Sequence, residues 1–150
     1  MKNLHFILLA LIISSSSILN SQISVIDNQN EIKIGEVTQV GLPIISCSKV
    51  ENEYTFNYIN NIDLSKRSNT SFKLIDLDGD FEQLYALILK GFKEKKNSIV
   101  KIQTDDEVIG LEFIRSFGIT AFRFLQYDND ETVGYSIALS RRQVNKLFGR

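Results

Sequence analysis

Apolar and polar residues alternate through most of residues 98–139, and the alternation breaks only at short polar stretches. A period of two marks a strand with one face in a core and the other outside it. The pattern predicts four antiparallel strands over about 98–104, 107–116, 118–127 and 132–139, joined at Asp105-Asp106, at Phe117-Gly118 and by the loop Asp128-Asn129-Asp130-Glu131. These turns fix a register: Ile102 opposite Ile109, Val100 opposite Leu111, Leu111 opposite Phe124, Phe113 opposite Phe122, Phe124 opposite Tyr135 and Phe122 opposite Ile137. One continuous apolar face results, made of Val100, Ile102, Ile109, Leu111, Phe113, Phe122, Phe124, Val133, Tyr135, Ile137 and Leu139. A two-residue turn at Phe117-Gly118 asks a bulky side chain to take left-handed backbone, which argues for a longer tip.

Before residue 98 the pattern is more mixed. Gln22 to Asn30 is polar without a period and reads as a mobile leader. Ile32 and Ile34 alternate with charged residues and predict a short first strand, while Gly35, Gly41 and Pro43 are expected to break the next segment into irregular pieces. Tyr54, Phe56 and Tyr58 alternate with Thr55, Asn57 and Ile59, a strand whose aromatic face is expected in the core. A polar loop over Asn60 to Asn69 leads to a strand carrying Phe72, Leu74 and Leu77.

The period then changes to that of a helix. Phe81, Leu84, Tyr85, Ile88 and Phe92 fall on one face, Gly79 is read as the preceding turn, and Asp80 with Gln83 as a capping box. Lys93, Lys95 and Lys96 stand where cations compensate the helix dipole. A second box, Ser140 with Gln143, opens a terminal helix in which Val144, Leu147 and Phe148 pack down and Gly149 marks the stop. Arg141 and Arg142 oppose the dipole in its first turn and are read as a solvated corner. The order β-β-β-α-β-β-β-β-α predicts an α+β fold: an antiparallel sheet with a C-terminal four-stranded meander, one long helix packed on its apolar face and a short C-terminal helix.

The start of the chain obeys different rules. Met1-Lys2 is basic, Phe6 to Ile13 is an uncharged apolar run, and Ser14 to Ser17 are small, the three zones of an export signal. Four consecutive serines interrupt the run short of the roughly 20 apolar residues that a membrane span requires. Small residues at Ser14 and Ser16 compete as a cleavage motif, and the cut between Ser21 and Gln22 is preferred because Ile18 and Leu19 extend the apolar segment. The expected organisation is a signal peptide over 1–21, a leader over 22–30 and a single α+β domain over 31–150, exported to the periplasm or the cell exterior. Cys47 lies too far downstream to carry a lipid, so no membrane attachment is expected once the signal is removed.

Composition then narrows the chemistry. His5 is the only histidine and falls inside the signal, so a processed chain has none with which to build a Ser-His-Asp site, a histidine-ligated zinc or a histidine-ligated haem. One cysteine excludes an intramolecular disulfide; Cys47, after Ile44 and Ile45, is expected to be a buried, inert thiol. The formal net charge of −1 with both signs interspersed gives no footprint for nucleic acid. Asp76, Asp78 and Asp80 alternate as calcium ligands do, but Phe81 and Leu87 stand where an EF-hand needs Gly and Glu, and no metal or other cofactor is expected. Asn69-Thr70-Ser71 matches a glycosylation sequon, which matters only in a eukaryotic source.

The polar face of the meander carries the remaining candidate chemistry. There the predicted register sets Glu112 across from Arg123, with Lys101 and Tyr127 near the rim and the small residues Gly110, Gly134, Ser136 and Ala138 around them. Glu112, Arg123, Lys101 and Tyr127 are the candidate binding residues, and a solvated face with a cross-strand ion pair is the plainer reading of the same pattern. The function expected is that of a non-enzymatic module that binds another exported or cell-surface macromolecule through this face or through an exposed edge strand. The alternative is a small carboxylate-dependent hydrolase acting on glycans, which needs a second acid within about 10 Å of Glu112.

Overall fold

The structure is a computed structural model and describes residues 30–62 and 68–150. The export signal expected over 1–21 lies outside these residues, as does the leader over 22–30 apart from Asn30. The elements are β1 (Ile32–Gln39), β2 (Leu42–Val50), β3 (Glu53–Asn60), β4 (Ser68–Ile75), α1 (Asp80–Glu94), β5 (Ser98–Gln103), β6 (Val108–Ser116), β7 (Ile119–Asp128), β8 (Glu131–Tyr135) and α2 (Arg141–Leu147). They form an α+β structure with two four-stranded antiparallel sheets, ordered β1-β2-β3-β4 and β5-β6-β7-β8.

The first sheet corrects the expectation of irregular chain after Gly35. Gly41 is confined to a two-residue turn with φ of 79° and Pro43 sits one residue into β2, so neither interrupts the ladder that pairs Ile45 with Tyr58 and Cys47 with Phe56. Gly35 lies within β1 itself, beside one of the register shifts of that strand. Two sheets therefore replace the single sheet that the pattern implied.

Both sheets turn aromatic residues into one core. The Phe56 ring lies 4.8 Å from Phe72, 5.5 Å from Phe124 of the second sheet and 5.6 Å from Phe148 beyond α2. Burying a ring of this size contributes about 2–3 kcal/mol, so the sheets are joined chiefly by apolar contact. Helix α1 inserts Phe81, Leu84 and Ile88, its predicted face, and packs on β4, β6 and β7. Gly91 is needed on that face because a Cβ there would lie 2.1 Å from Cζ of Phe113. At the sheet junction Gln126 accepts from Thr70 Oγ1 at 2.8 Å and from the Tyr58 hydroxyl at 3.4 Å, and its amide donates to Glu107.

The two helix starts differ. Ser140 and Gln143 form the predicted reciprocal capping box of α2, with Ser140 N donating to Gln143 Oε1 at 2.8 Å. Asp80, however, is not the cap of α1: Gly79, left-handed at φ 82°, occupies that position, and no side chain accepts from the first turn. Asp80 instead accepts from Leu77 N at 3.3 Å, within the turn that Gly79 makes possible.

Candidate functional site

The register of β5, β6 and β7 places Glu112 directly across from Arg123, Ile99 beside Glu112, and Lys101 beside Gly110. Strand alternation then sends Lys101, Glu112, Arg123 and Tyr127 to the side of the sheet away from the core. Phe117 does take left-handed backbone, with φ of 51°, and the β6–β7 connection is the two-residue turn that its size argued against.

Arg123 Nε donates to Glu112 Oε2, and both side chains are largely covered, at 27% and 20% exposure. The guanidinium also lies over the Tyr135 ring, with Cζ 4.3 Å from its centroid. A partly desolvated and hydrogen-bonded arginine over an aromatic ring has little rotational freedom left. Among the described residues its Nη1 and Nη2 groups make no hydrogen bond, so the end of the fork is available to an acceptor.

Tyr135 was expected on the apolar face, opposite Phe124. The β7–β8 pairing begins as a tight turn, with Asp128 opposite Glu131 and Tyr127 opposite Thr132, but a bulge then takes up Val133, so that Gly134 faces Gln126 and Tyr135 faces Leu125. One extra residue reverses the faces of Gly134, Tyr135 and Ser136, and the chain regains the core side by Leu139, which is buried and bridges Phe122 where Ile137 was expected. Tyr135 moves to the Glu112–Arg123 side, whereas Ser136 turns inward, buried, to donate to Ile137 O and accept from Phe124 N. Gly134 also leaves the site and packs against Asn60, where a Cβ would lie 2.9 Å from Nδ2. A glycine within a strand is the one feature of the sequence that marked this bulge.

Lys101 and Tyr127 form a second cluster on the same face. Lys101 Nζ stands 4.3 Å over the Tyr127 ring and donates to Asp130 Oδ1 at 2.9 Å. This hydrogen bond holds the ammonium above its ordinary pKa and the Asp130 carboxyl below its own. Asp130, predicted only as a loop residue, is thus part of the cluster. Gly110 does not leave bare backbone, because Tyr127 and Leu125 lie over it.

Beside Glu112 runs a groove of about 450 Å³, lined also by Asn97, Ser98, Ile99, Phe113 and Ile114. Among the described residues no second carboxylate lines it, so the paired acids of a carboxylate-dependent hydrolase are not brought together in this groove, and Glu112 accepts from Arg123. Among the described residues no three His, Cys, Asp or Glu side chains gather as a metal site, so Asp76, Asp78 and Asp80 do not converge. Cys47 has no solvent exposure and burial pushes its thiol up to about 12, well away from reactive chemistry. No family model matches the chain, and no characterised protein or solved structure does either.

Proposed function

We propose that the chain is an exported, non-enzymatic binding module of the bacterial periplasm or cell exterior, which engages another exported or cell-surface macromolecule through the outer face of the second sheet or through an exposed edge strand. The observation that carries this reading is the Arg123 guanidinium, held by Glu112 and Tyr135, with its terminal nitrogens unbonded among the described residues. Side chains ordered in advance lose little entropy on binding, and Arg and Tyr are the residue types that dominate interface energetics. The half-exposed Ile99 and the groove at Glu112 add apolar surface next to the polar centre, the mixture typical of recognition patches. The partner chemistry this favours is a carboxylate or a backbone carbonyl presented beside an apolar group.

The test is site-specific photo-crosslinking in cells that express the chain with its native leader. A crosslinker at Ile99 should yield one discrete adduct in the exported fraction, a crosslinker at Lys33 on the first sheet should not, and Arg123→Ala should abolish the adduct. Equal labelling from both positions, or a chain retained in the cytoplasm with its leader intact, would overturn the proposal.

A further inference from the structure

Each sheet of this fold has two edges, and the edges are treated differently. β1 is interrupted by register shifts and pressed against α2, where a Cβ on Gly35 would lie 2.1 Å from Lys146 O. β8 carries the Val133 bulge and is bonded by the first sheet: Asn60 Nδ2 donates to Val133 O, and Asn61 N donates to Tyr135 O at 3.0 Å. β4 is held through Thr70 and Ser71 by Gln126. These are the usual ways of closing an edge.

Among the described residues β5 has none of them. Its pairing with β6 is regular from Ser98 to Gln103. Thr104 N donates to Glu107 O across the hairpin, so by alternation Ser98, Val100 and Ile102 bond to β6, and Ile99, Lys101 and Gln103 direct N–H and C=O groups outward. Among the described residues nothing bonds to those groups. The usual guard of an open edge is a lysine, but Lys101 is drawn over the sheet by Tyr127 and Asp130.

At the C-terminal end of this edge lies a cleft of about 470 Å³ between Ile102 and Gln103 of β5, the end of β4 and the first half of α1. Ile102 and Gln103, neighbours that point to opposite faces of the strand, both line it, so β5 meets the cleft edge-on. Its floor is apolar, with Leu84 buried and Leu77 and Leu87 left exposed. Its rim carries Asp80 and Asp105 and no cation.

We infer that β5 accepts an extended peptide segment of a partner as an added antiparallel strand, with apolar side chains at alternate positions in the cleft and a basic residue at its N-terminal end. Backbone bonds to Ile99, Lys101 and Gln103 give affinity, and the cleft at Ile102 and Gln103 reads the alternate side chains at the N-terminal end of the peptide. The antiparallel sense puts the N-terminal end of the peptide beside Asp105, where a lysine or arginine complements Asp105 and Asp80. This rests on the reading of the chain as a binding module and identifies which edge is used and by what.

A random peptide library displayed on phage is selected on the full processed chain and counter-selected on Lys101→Pro. Proline at position 101 deletes an outward N–H without touching the β5–β6 ladder. The sequences retained should alternate apolar residues behind an N-terminal Lys or Arg. Synthetic copies should bind about 10-fold more weakly to Lys101→Pro, and likewise to Leu87→Glu, an exposed helix position that keeps the fold if proline does not. Lys33→Ala, on the first sheet, should leave peptide affinity unchanged; the outer-face reading is tested by the crosslink from Ile99, so failure here and failure of that reading give different patterns. No enrichment over Lys101→Pro, or enrichment of sequences without alternation, would overturn the inference. So would a dimer in sedimentation analysis that Lys101→Pro dissolves, since the occupant would then be a second copy of this chain.

Discussion

The two halves of the molecule share one element order, four antiparallel strands followed by a helix, but they protect their edges by opposite means. The outer strand of the first sheet is covered by α2, an element of the second half. The outer strand of the second sheet is bonded by Asn60 and Asn61, residues of the first half. Each half thus closes an edge that belongs to the other. α2 packs on β1 and β2, whereas the principal contacts of α1 are with β4, β6 and β7, so among the described residues β5 receives less cover than its counterpart β1. The lesson is that the bulges and register shifts of β1 and β8 are completed by contacts from the other half, so edge protection in this fold is shared between strand and partner half.

The strongest way to break this comparison is to separate the halves. Phe56→Ala and Phe124→Ala each remove a ring from the shared core and should cost about 3–5 kcal/mol in urea denaturation, with one cooperative transition retained. Two resolved transitions would mean that the halves are independent units. Gly35→Ala attacks the α2 closure of β1 through a clash with backbone and should cost about 2–3 kcal/mol, detected as a lowered urea midpoint with early hydrogen exchange in β1.

Alkaline pH should lower the stability of the whole molecule through two groups buried in the first half, Cys47 and Tyr58. The Cys47 thiol keeps its proton in the folded chain but loses it above about 8.5 once unfolded. Its contribution is therefore present in full below that value and is lost toward about 12, at roughly 1.4 kcal/mol per pH unit. Tyr58, likewise raised by burial and by Glu107, adds a second loss above about pH 10. Cys47→Ala should flatten the lower part of the decline, and a wild-type urea midpoint that stays constant from about pH 8.5 to 10 would contradict the assignment.

Asn60→Ala opens the β8 edge and should cost about 1–2 kcal/mol, with exchange of the Tyr135 amide accelerated ahead of the rest of β7 and β8. The smallest effect has the opposite sign. Val40 and Phe117, one in each half, are exposed hairpin residues held at φ 51°. Replacement by Asn, which tolerates left-handed backbone, should raise stability by about 0.5–1 kcal/mol, with the larger gain at β-branched Val40. A loss at either site would indicate that the side chain makes a contact worth more than the strain.

The sequence by itself determined whatever is set by contacts between near neighbours. The helical face of α1, the capping box of α2 and the register from β5 to β7, with Glu112 opposite Arg123, were legible because each depends on period, short turns and residues a few positions apart. The strand at Leu42–Val50 was obscured by Gly41 and Pro43, which read as breakers until the turn and strand end they occupy are seen. Tertiary structure alone decided the rest. The division into two sheets, the approach of Asn60 to β8 and the transfer of Tyr135 to the Arg123 face depend on which distant surfaces fill one another. A bulge of one residue costs little locally and is selected by long-range packing, and no periodicity in the chain encodes that choice.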